Sequence, residues 1–129
     1  MLLRLFLVCL AGGVGTGARY LVSLGAGKLF GAVFPYGTLA VNLAGCFLIA
    51  AIVHVSLVTT HVSNEARLVL TTGLMGGLTT YSSFNLETTS LLRNGSYGMA
   101  LANFALTVVG CFVAGLLGLF AARAAFGSQ

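Results

Sequence analysis

Charged residues are rare along the chain and separate long apolar stretches. The charge-free stretches 29–64, 68–86 and 94–122 contain 36, 19 and 29 residues. Because a helix needs about 20 mostly apolar residues to cross a bilayer, the pattern predicts four spanning helices. They lie at about 2–25, 34–57, 67–90 and 98–122, with connections at 26–33, 58–66 and 91–97, in one membrane domain over 1–129. The stretches are continuous rather than alternating, which favours helices over barrel strands.

Composition supports an all-α integral membrane protein. Apolar residues make up 58% of the 129 residues and charged residues only 6%, whereas soluble domains carry about 25% charged residues. The net charge of +4 comes from six isolated cations, so no basic stripe is available to bind a nucleic acid. Cys9, Cys46 and Cys111 lie singly in apolar runs, without metal-ligand spacing, and are expected to be packing residues.

The cations divide evenly between the two sides of the predicted bundle. One side carries Arg4, Arg67 and Arg123, and the other carries Arg19, Lys28 and Arg93. Since lysine and arginine bias normally sets orientation, three against three predicts insertion both ways up and an antiparallel, dual-topology homodimer. If a buried Arg19 does not count, a weak bias of three to two remains.

The third predicted span has an unusual composition, RLVLTTGLMGGLTTYSSFNLETTS. Glycines in its first half are followed by threonine and serine, which offer the backbone competing hydrogen bonds. We therefore expect the helix to be broken near 76–83. Carbonyls freed at membrane depth could bind a cation, and two breaks meeting in an antiparallel dimer would supply four oxygens. The alternative is a kinked helix whose hydroxyls bond to its own carbonyls.

Other polar residues at membrane depth indicate a narrow polar track. Asn103, Thr107 and Cys111 recur every four residues in the fourth span and share one face. With Asn42, Ser82 and Ser83 they could line the track, or each could make one interhelical hydrogen bond. Tyr81 and Phe84, three residues apart, could offer positive ring edges to an anion or pack in the core.

Two charged residues have roles that the sequence leaves open. Arg19 could extend to the membrane surface or give an entering anion a positive vestibule. Glu87 could pair with Arg19, cap a helix end or bind a proton. An enzyme is disfavoured, because no nucleophile–base pair or metal cluster can be built from two acids and two interfacial histidines.

Three strings of this sequence resemble the CrcB/Fluc fluoride ion channels. They are GGVGTGARY (12–20), FPYGTLAVNLAGCFL (34–48) and GLMGGLTTYSSFNLET (73–88). The resemblance implies an antiparallel homodimer with two fluoride pores and a structural sodium ion at its centre. It also implies passive export of cytoplasmic fluoride across the inner membrane.

The resemblance also implies site residues. The backbone carbonyls of Gly76 and Thr79 would hold sodium, Asn42 would line the pore, and Tyr81 and Phe84 would contact fluoride by their ring edges. Tyr81 is a departure, since phenylalanine is usual there. Ser83 and Cys111 stand where threonine and serine are common.

Two competing functions remain. A small multidrug-resistance transporter has four helices in a chain of similar length, but it needs a buried glutamate in its first span, and this first span has no acid. A scaffold subunit would explain the small-residue ridges Gly13–Gly17 and Gly110–Ala114–Gly118. It would not explain the glycine- and threonine-rich segment of the third span.

Overall fold

A computed structural model of the chain describes residues 1–127, and all regular structure in that range is helical. The elements are α1 (Leu2–Phe30), α2 (Tyr36–Val58), α3 (Asn64–Leu68), a π-helical turn (Val69–Met75), α4 (Gly76–Leu78), α5 (Tyr81–Arg93) and α6 (Tyr97–Phe126). Of the described helices, α1, α2 and α6 are long and apolar enough to cross a membrane. The predicted class, a helical membrane protein, is confirmed.

The connections between helices are shorter than predicted. The first was expected at 26–33, but α1 continues to Phe30 and ends at Gly31, whose φ of 81° an L side chain rarely adopts. The second was expected to reach residue 66, but Ser63 accepts the Ala66 N–H at 3.1 Å and starts α3 at Asn64. Apolar length marks the part of a helix that crosses a membrane, whereas capping residues decide where the helix ends.

Glycines allow α2 and α6 to pack closely. A Cβ added at Gly118 would collide with the Phe47 carbonyl, and one added at Gly110 would lie 2.9 Å from the Leu43 side chain. The predicted small-residue ridge on α6 is therefore a contact face within the chain. Close backbone approach is how helices associate where no hydrophobic force drives them together.

Glycines also bring α1 against the π-helical turn and α4. A Cβ at Gly15 would collide with the Leu74 carbonyl, and one at Gly77 would collide with the Gly12 carbonyl. The Gly13–Gly17 ridge on α1 makes no close contact within the chain, because an added Cβ at either glycine would meet nothing within 4 Å. The packed face of α1 is rotated from it and carries the glycines at 12 and 15.

Many large apolar side chains are exposed in this structure, and several polar side chains are buried. Large apolar side chains on α1 and α6 are exposed, including Phe6 and Phe112. The buried polar residues are Thr38, Asn42, His54, Asn103 and Thr107. Apolar residues therefore face outward, where lipid would contact them, while polar groups collect between the helices.

The tight contact at Gly15 generates a stability prediction. Gly15→Ala should destabilise the folded protein by about 1–3 kcal/mol, the usual cost of overpacking, because the new methyl group meets backbone atoms that cannot move aside. Gly25→Ala on the same helix is the matched control, since its Cβ meets nothing within 4 Å. Thermal unfolding in detergent measures both, and equal midpoints would contradict the packing described.

Candidate functional site at the interrupted helix

The helix that follows the π-helical turn is interrupted at two threonines. Helix α4 ends at Leu78 and α5 begins at Tyr81, while Thr79 (φ −85°, ψ 156°) and Thr80 (φ −156°, ψ 118°) are extended. The amide and the hydroxyl of Thr79 both donate to the Met75 carbonyl at 2.9 Å, which closes the last turn of α4. The interruption falls inside the segment 76–83, where glycines and hydroxyl residues replace the apolar pattern.

Asn42 of α2 supplies hydrogen-bond partners to the extended backbone of Thr80. Its Oδ1 accepts the Thr80 N–H at 2.7 Å, and its Nδ2 donates to the Thr80 carbonyl at 3.1 Å. The Asn42 side chain is buried, with 6% of its surface exposed. An asparagine amide has two N–H donors, so one amide hydrogen remains for another acceptor. Asn42 therefore holds the interruption open and keeps one donor available beside it.

Thr80 organises the start of α5. Its Oγ1 accepts the Ser83 N–H at 3.2 Å, donates to Ser83 Oγ at 3.1 Å and lies 3.2 Å from Ser82 Oγ. The sequence reasoning did not single out this residue. The signal was the preference for threonine at the residue that precedes a helix.

These bonds release two backbone carbonyls from the helical ladder. In a continuous helix the Gly76 carbonyl would accept from Thr80 N–H and the Thr79 carbonyl from Ser83 N–H. Here Thr80 N–H donates to Asn42 and Ser83 N–H donates to Thr80 Oγ1. The carbonyls of Gly76 and Thr79 therefore lack their helical donors, because the Thr80 amide is bonded to Asn42 and the Ser83 amide to the Thr80 hydroxyl.

A cavity of about 320 Å³ adjoins the interruption. Among its lining residues are Asn42, Cys46, Thr80, Tyr81, Thr107 and Cys111. Within residues 1–127, the buried hydroxyl of Thr107 has no hydrogen-bond partner. Other threonines bond back to the carbonyl four residues earlier, as Thr71 does at 2.8 Å and Thr88 at 2.7 Å. An unpaired buried hydroxyl costs about 1–3 kcal/mol. Because Thr107 lines the cavity, a polar ligand bound there could accept a hydrogen bond from this hydroxyl.

The two aromatic residues at the start of α5 contact each other. Their ring centroids are 5.3 Å apart with planes at 62°, an edge-to-face arrangement. Phe84 is only 2% exposed, whereas Tyr81 is 74% exposed. Phe84 also contacts Phe104 of α6 at 6.2 Å. Phe84 is therefore held between α5 and α6, while Tyr81 faces outward at the edge of the cavity.

A second cavity, of about 280 Å³, lies on the other side of the Thr80–Ser83 contact. Arg19, Ser23, Thr38, Ser83 and Glu87 are among its lining residues. Glu87 Oε1 accepts from the Thr38 hydroxyl at 2.6 Å, and Glu87 Oε2 is buried without a partner among the described residues.

The structure forms no Arg19–Glu87 ion pair, one of the roles considered for Glu87. The ion pair present among the described residues joins Arg4 to Glu65 at 2.7 Å. Arg19 and Glu87 nevertheless share the second cavity.

Six of the predicted polar and aromatic residues line one of the two cavities, whereas Ser82, Phe84 and Asn103 line neither. Asn42, Tyr81, Thr107 and Cys111 line the first cavity, and Arg19 and Ser83 line the second. Asn103 lines neither; it is 1% exposed and donates to Thr88 Oγ1 at 2.9 Å, an interhelical bond between α6 and α5.

The pairing of Asn42 with Thr80 generates the second prediction. Asn42→Ala removes both bonds to a backbone that has no helical partners, so we expect a loss of about 1–3 kcal/mol of stability. Hydrogen exchange at the Thr80 amide should also accelerate. Asn85→Ala on exposed α5 surface is the control. Unchanged Thr80 protection in Asn42→Ala would contradict this role of Asn42.

Comparisons with known proteins give one consistent family. Residues 6–119 match the family described as "CrcB-like protein, Camphor Resistance (CrcB)". A protein of Sorangium cellulosum (strain So ce56) is 51% identical over 120 residues, which cover 93% of this chain and 94% of that protein. One from Anaeromyxobacter sp. (strain K) is 53% identical over 111 residues, covering 86% and 88%. One from Geobacter sulfurreducens is 46% identical over 116 residues, covering 90% and 94%.

Each of these relatives is named "Fluoride-specific ion channel FluC". The similarity extends over all three strings on which the resemblance rests and over both cavities. The chain therefore belongs to the CrcB family, whose members are ion channels rather than enzymes.

Proposed function

We propose that this chain forms a fluoride-selective channel that lets fluoride leave the cytoplasm passively across the inner membrane and so confers fluoride resistance. Membership in a family whose relatives are named fluoride channels supports it. The observation that carries it is the unpaired Thr107 hydroxyl beside the Asn42 amide in the cavity at the interrupted helix.

The chemistry of the first cavity suits a small, strongly hydrated anion. A selective pore must replace the ion's water with donors in a narrow passage. The Thr107 hydroxyl and the remaining Asn42 amide hydrogen are neutral donors on the cavity wall. The Tyr81 ring on that wall and the Phe84 ring packed against it have positive edges. Because none of these groups carries a full charge, they can solvate fluoride without trapping it.

The second cavity is suited to the entry of the ion. Arg19 places a positive charge on its wall, where the Glu87 carboxyl also lies and accepts from Thr38. Ser83 connects that wall to Thr80 and the first cavity. Electrostatic attraction in a low-dielectric cleft raises the local concentration of a counter-ion. In this proposal fluoride passes from the Arg19 cavity along Ser83 and Ser82 to Phe84, Tyr81, Asn42 and Thr107.

The proposed assembly is an antiparallel, dual-topology homodimer with two pores. The balanced cation count supports insertion in both orientations. Two features of the single chain suit a second copy. Tyr81 is 74% exposed at the edge of the first cavity, and Gly13 and Gly17 form an exposed small-residue strip on α1. A partner that covers Tyr81 would enclose the first cavity.

We further propose a structural sodium ion at the centre of that dimer. The carbonyls of Gly76 and Thr79 are deprived of their helical donors by Asn42 and Thr80. Carbonyl oxygens suit small hard cations, and two from each protomer would give a four-oxygen site on the two-fold axis. The Thr79 hydroxyl is bonded to the Met75 carbonyl, so the ligand from Thr79 is its backbone oxygen.

The flux prediction concerns Phe84. In proteoliposomes under a potassium/valinomycin clamp, the unaltered protein should release fluoride rapidly and chloride not at all. Phe84→Ile should slow fluoride release about tenfold, because losing the ring edge raises the barrier by about 1.4 kcal/mol. Phe112→Ile, which alters an outward-facing ring on α6, is the matched control.

Two outcomes would count against the channel. No fluoride release from a folded dimer would exclude it outright. Release that requires a proton gradient would identify a coupled transporter instead. Equal rates for the two phenylalanine variants would remove Phe84 from the pathway while leaving the channel intact.

The sodium prediction concerns the assembly. Above the dissociation constant, each tenfold rise in sodium should stabilise the dimer by about 1.4 kcal/mol through linkage, with potassium at equal ionic strength as the control. Thermal unfolding and the monomer–dimer ratio after purification in sodium-free buffer measure it. A dimer whose stability is the same in both salts would contradict the central sodium site.

A further inference from the structure

Two cysteines from different helices line the first cavity. Cys46 lies on α2 and Cys111 on α6, where glycines let the helices approach closely: a Cβ at Gly115 would lie 3.7 Å from the Cys46 carbonyl. Both side chains line the cavity beside Asn42 and Thr107. The two thiols share this cavity and are not joined in a disulfide. The sequence placed 64 residues between them and gave no spacing motif, so only the fold reveals this pair.

The surroundings of the pair limit what it can bind. No group of three or more histidine, cysteine, aspartate or glutamate side chains among residues 1–127 is arranged to hold a metal. That excludes, for the described part of the chain, the four-ligand set that structural zinc requires. Two thiols without a third ligand suit soft cations, which prefer sulfur and accept two-coordinate, near-linear geometry: copper(I), silver(I) and mercury(II).

We propose that Cys46 and Cys111 form a two-thiolate site for a soft metal cation, and that the bound cation blocks the first cavity. On binding, each thiol loses its proton to water and each sulfur forms one bond to the metal. Two S–H bonds are replaced by two S–metal bonds, and no electron is transferred. The cation needs no ligand beyond these two sulfurs.

Blockage follows from the position of the pair. The cation would lie between α2 and α6, in the cavity that holds the Asn42 amide and the Thr107 hydroxyl. With copper(I) or silver(I), two thiolates leave a net negative charge there, which repels fluoride. With mercury(II) the site is neutral and obstructs by size. The blockage rests on the proposed fluoride pathway, whereas metal binding by the pair does not.

The binding test uses mercury(II) as the probe and Cys9→Ser as the background. Cys9 is exposed on α1 and lies outside the cavity, so its replacement removes a competing thiol. In chloride-free buffer we expect each chain to bind one mercury ion and to lose both free thiols. Binding is monitored by the ultraviolet absorption of the thiolate-to-metal charge transfer. Adding Cys111→Ser or Cys46→Ser should lower the affinity for mercury about 10²-fold, measured in competition with a monothiol. The reason is that the second sulfur no longer acts at high effective concentration.

Two results would overturn the two-thiolate site. Two mercury ions per Cys9→Ser chain, or equal affinity in the single-thiol variants, would show that the thiols bind separately. Cys111→Ala serves beside Cys111→Ser, so that a variant that fails to assemble does not decide the outcome.

Fluoride release from proteoliposomes tests the blockage separately. Mercury should lower release through the Cys9→Ser protein, whereas the Cys9→Ser/Cys46→Ser/Cys111→Ser protein, which has no thiol in the cavity, should keep its own mercury-free rate. Bound mercury with undiminished release would overturn the blockage. Absence of fluoride release before mercury is added would count against the proposed function, while the binding result would still decide the metal site.

Discussion

The interrupted helix depends on one pairing, between the Asn42 amide and the backbone of Thr80. Inside a bilayer no water is available to satisfy a broken helix, and each orphaned backbone group costs several kcal/mol. The 2.7 Å and 3.1 Å bonds from Asn42 supply both missing partners. Because the Asn42 side chain bonds both the amide and the carbonyl of Thr80, the helix can be interrupted at membrane depth without leaving this backbone unpaired.

The rest of the site follows from that exchange of partners. Once Thr80 N–H is bonded to Asn42 and its hydroxyl caps α5, the Gly76 and Thr79 carbonyls are free to face elsewhere. Glycine contacts hold this geometry in place: Gly15 and Gly77 bring α1 against α4, and an added Cβ at Gly45 would strike the Thr79 side chain. The backbone can be irregular here because its neighbours approach closely enough to fix it.

Sequence patterns predicted the helical membrane class and indicated the segment that contains the interruption, because apolar length and glycine–hydroxyl composition are local properties. The sequence did not determine which helix faces pack together or which side chains pair across helices. Gly13 and Gly17 form as good a small-residue pair as Gly12 and Gly15, and only the rotation of α1 selects between them. Likewise, Glu87 is bonded to Thr38 rather than to Arg19, and neither spacing nor charge distinguishes those partners. The shared position of Cys46 and Cys111 on the first cavity arises from the same kind of long-range placement.

The lining of the first cavity can be understood from the difference between a hydroxyl and a thiol. A threonine hydroxyl such as that of Thr107 remains a neutral donor under all physiological conditions, so it can solvate an anion and release it. A cysteine thiol of similar size is a weaker donor, but it can lose its proton to a soft metal and become an anion. Where Cys46 and Cys111 line the first cavity, the proposed pathway is therefore poorer in strong donors. At the same place a metal cation can convert the neutral lining into a charged or obstructed one.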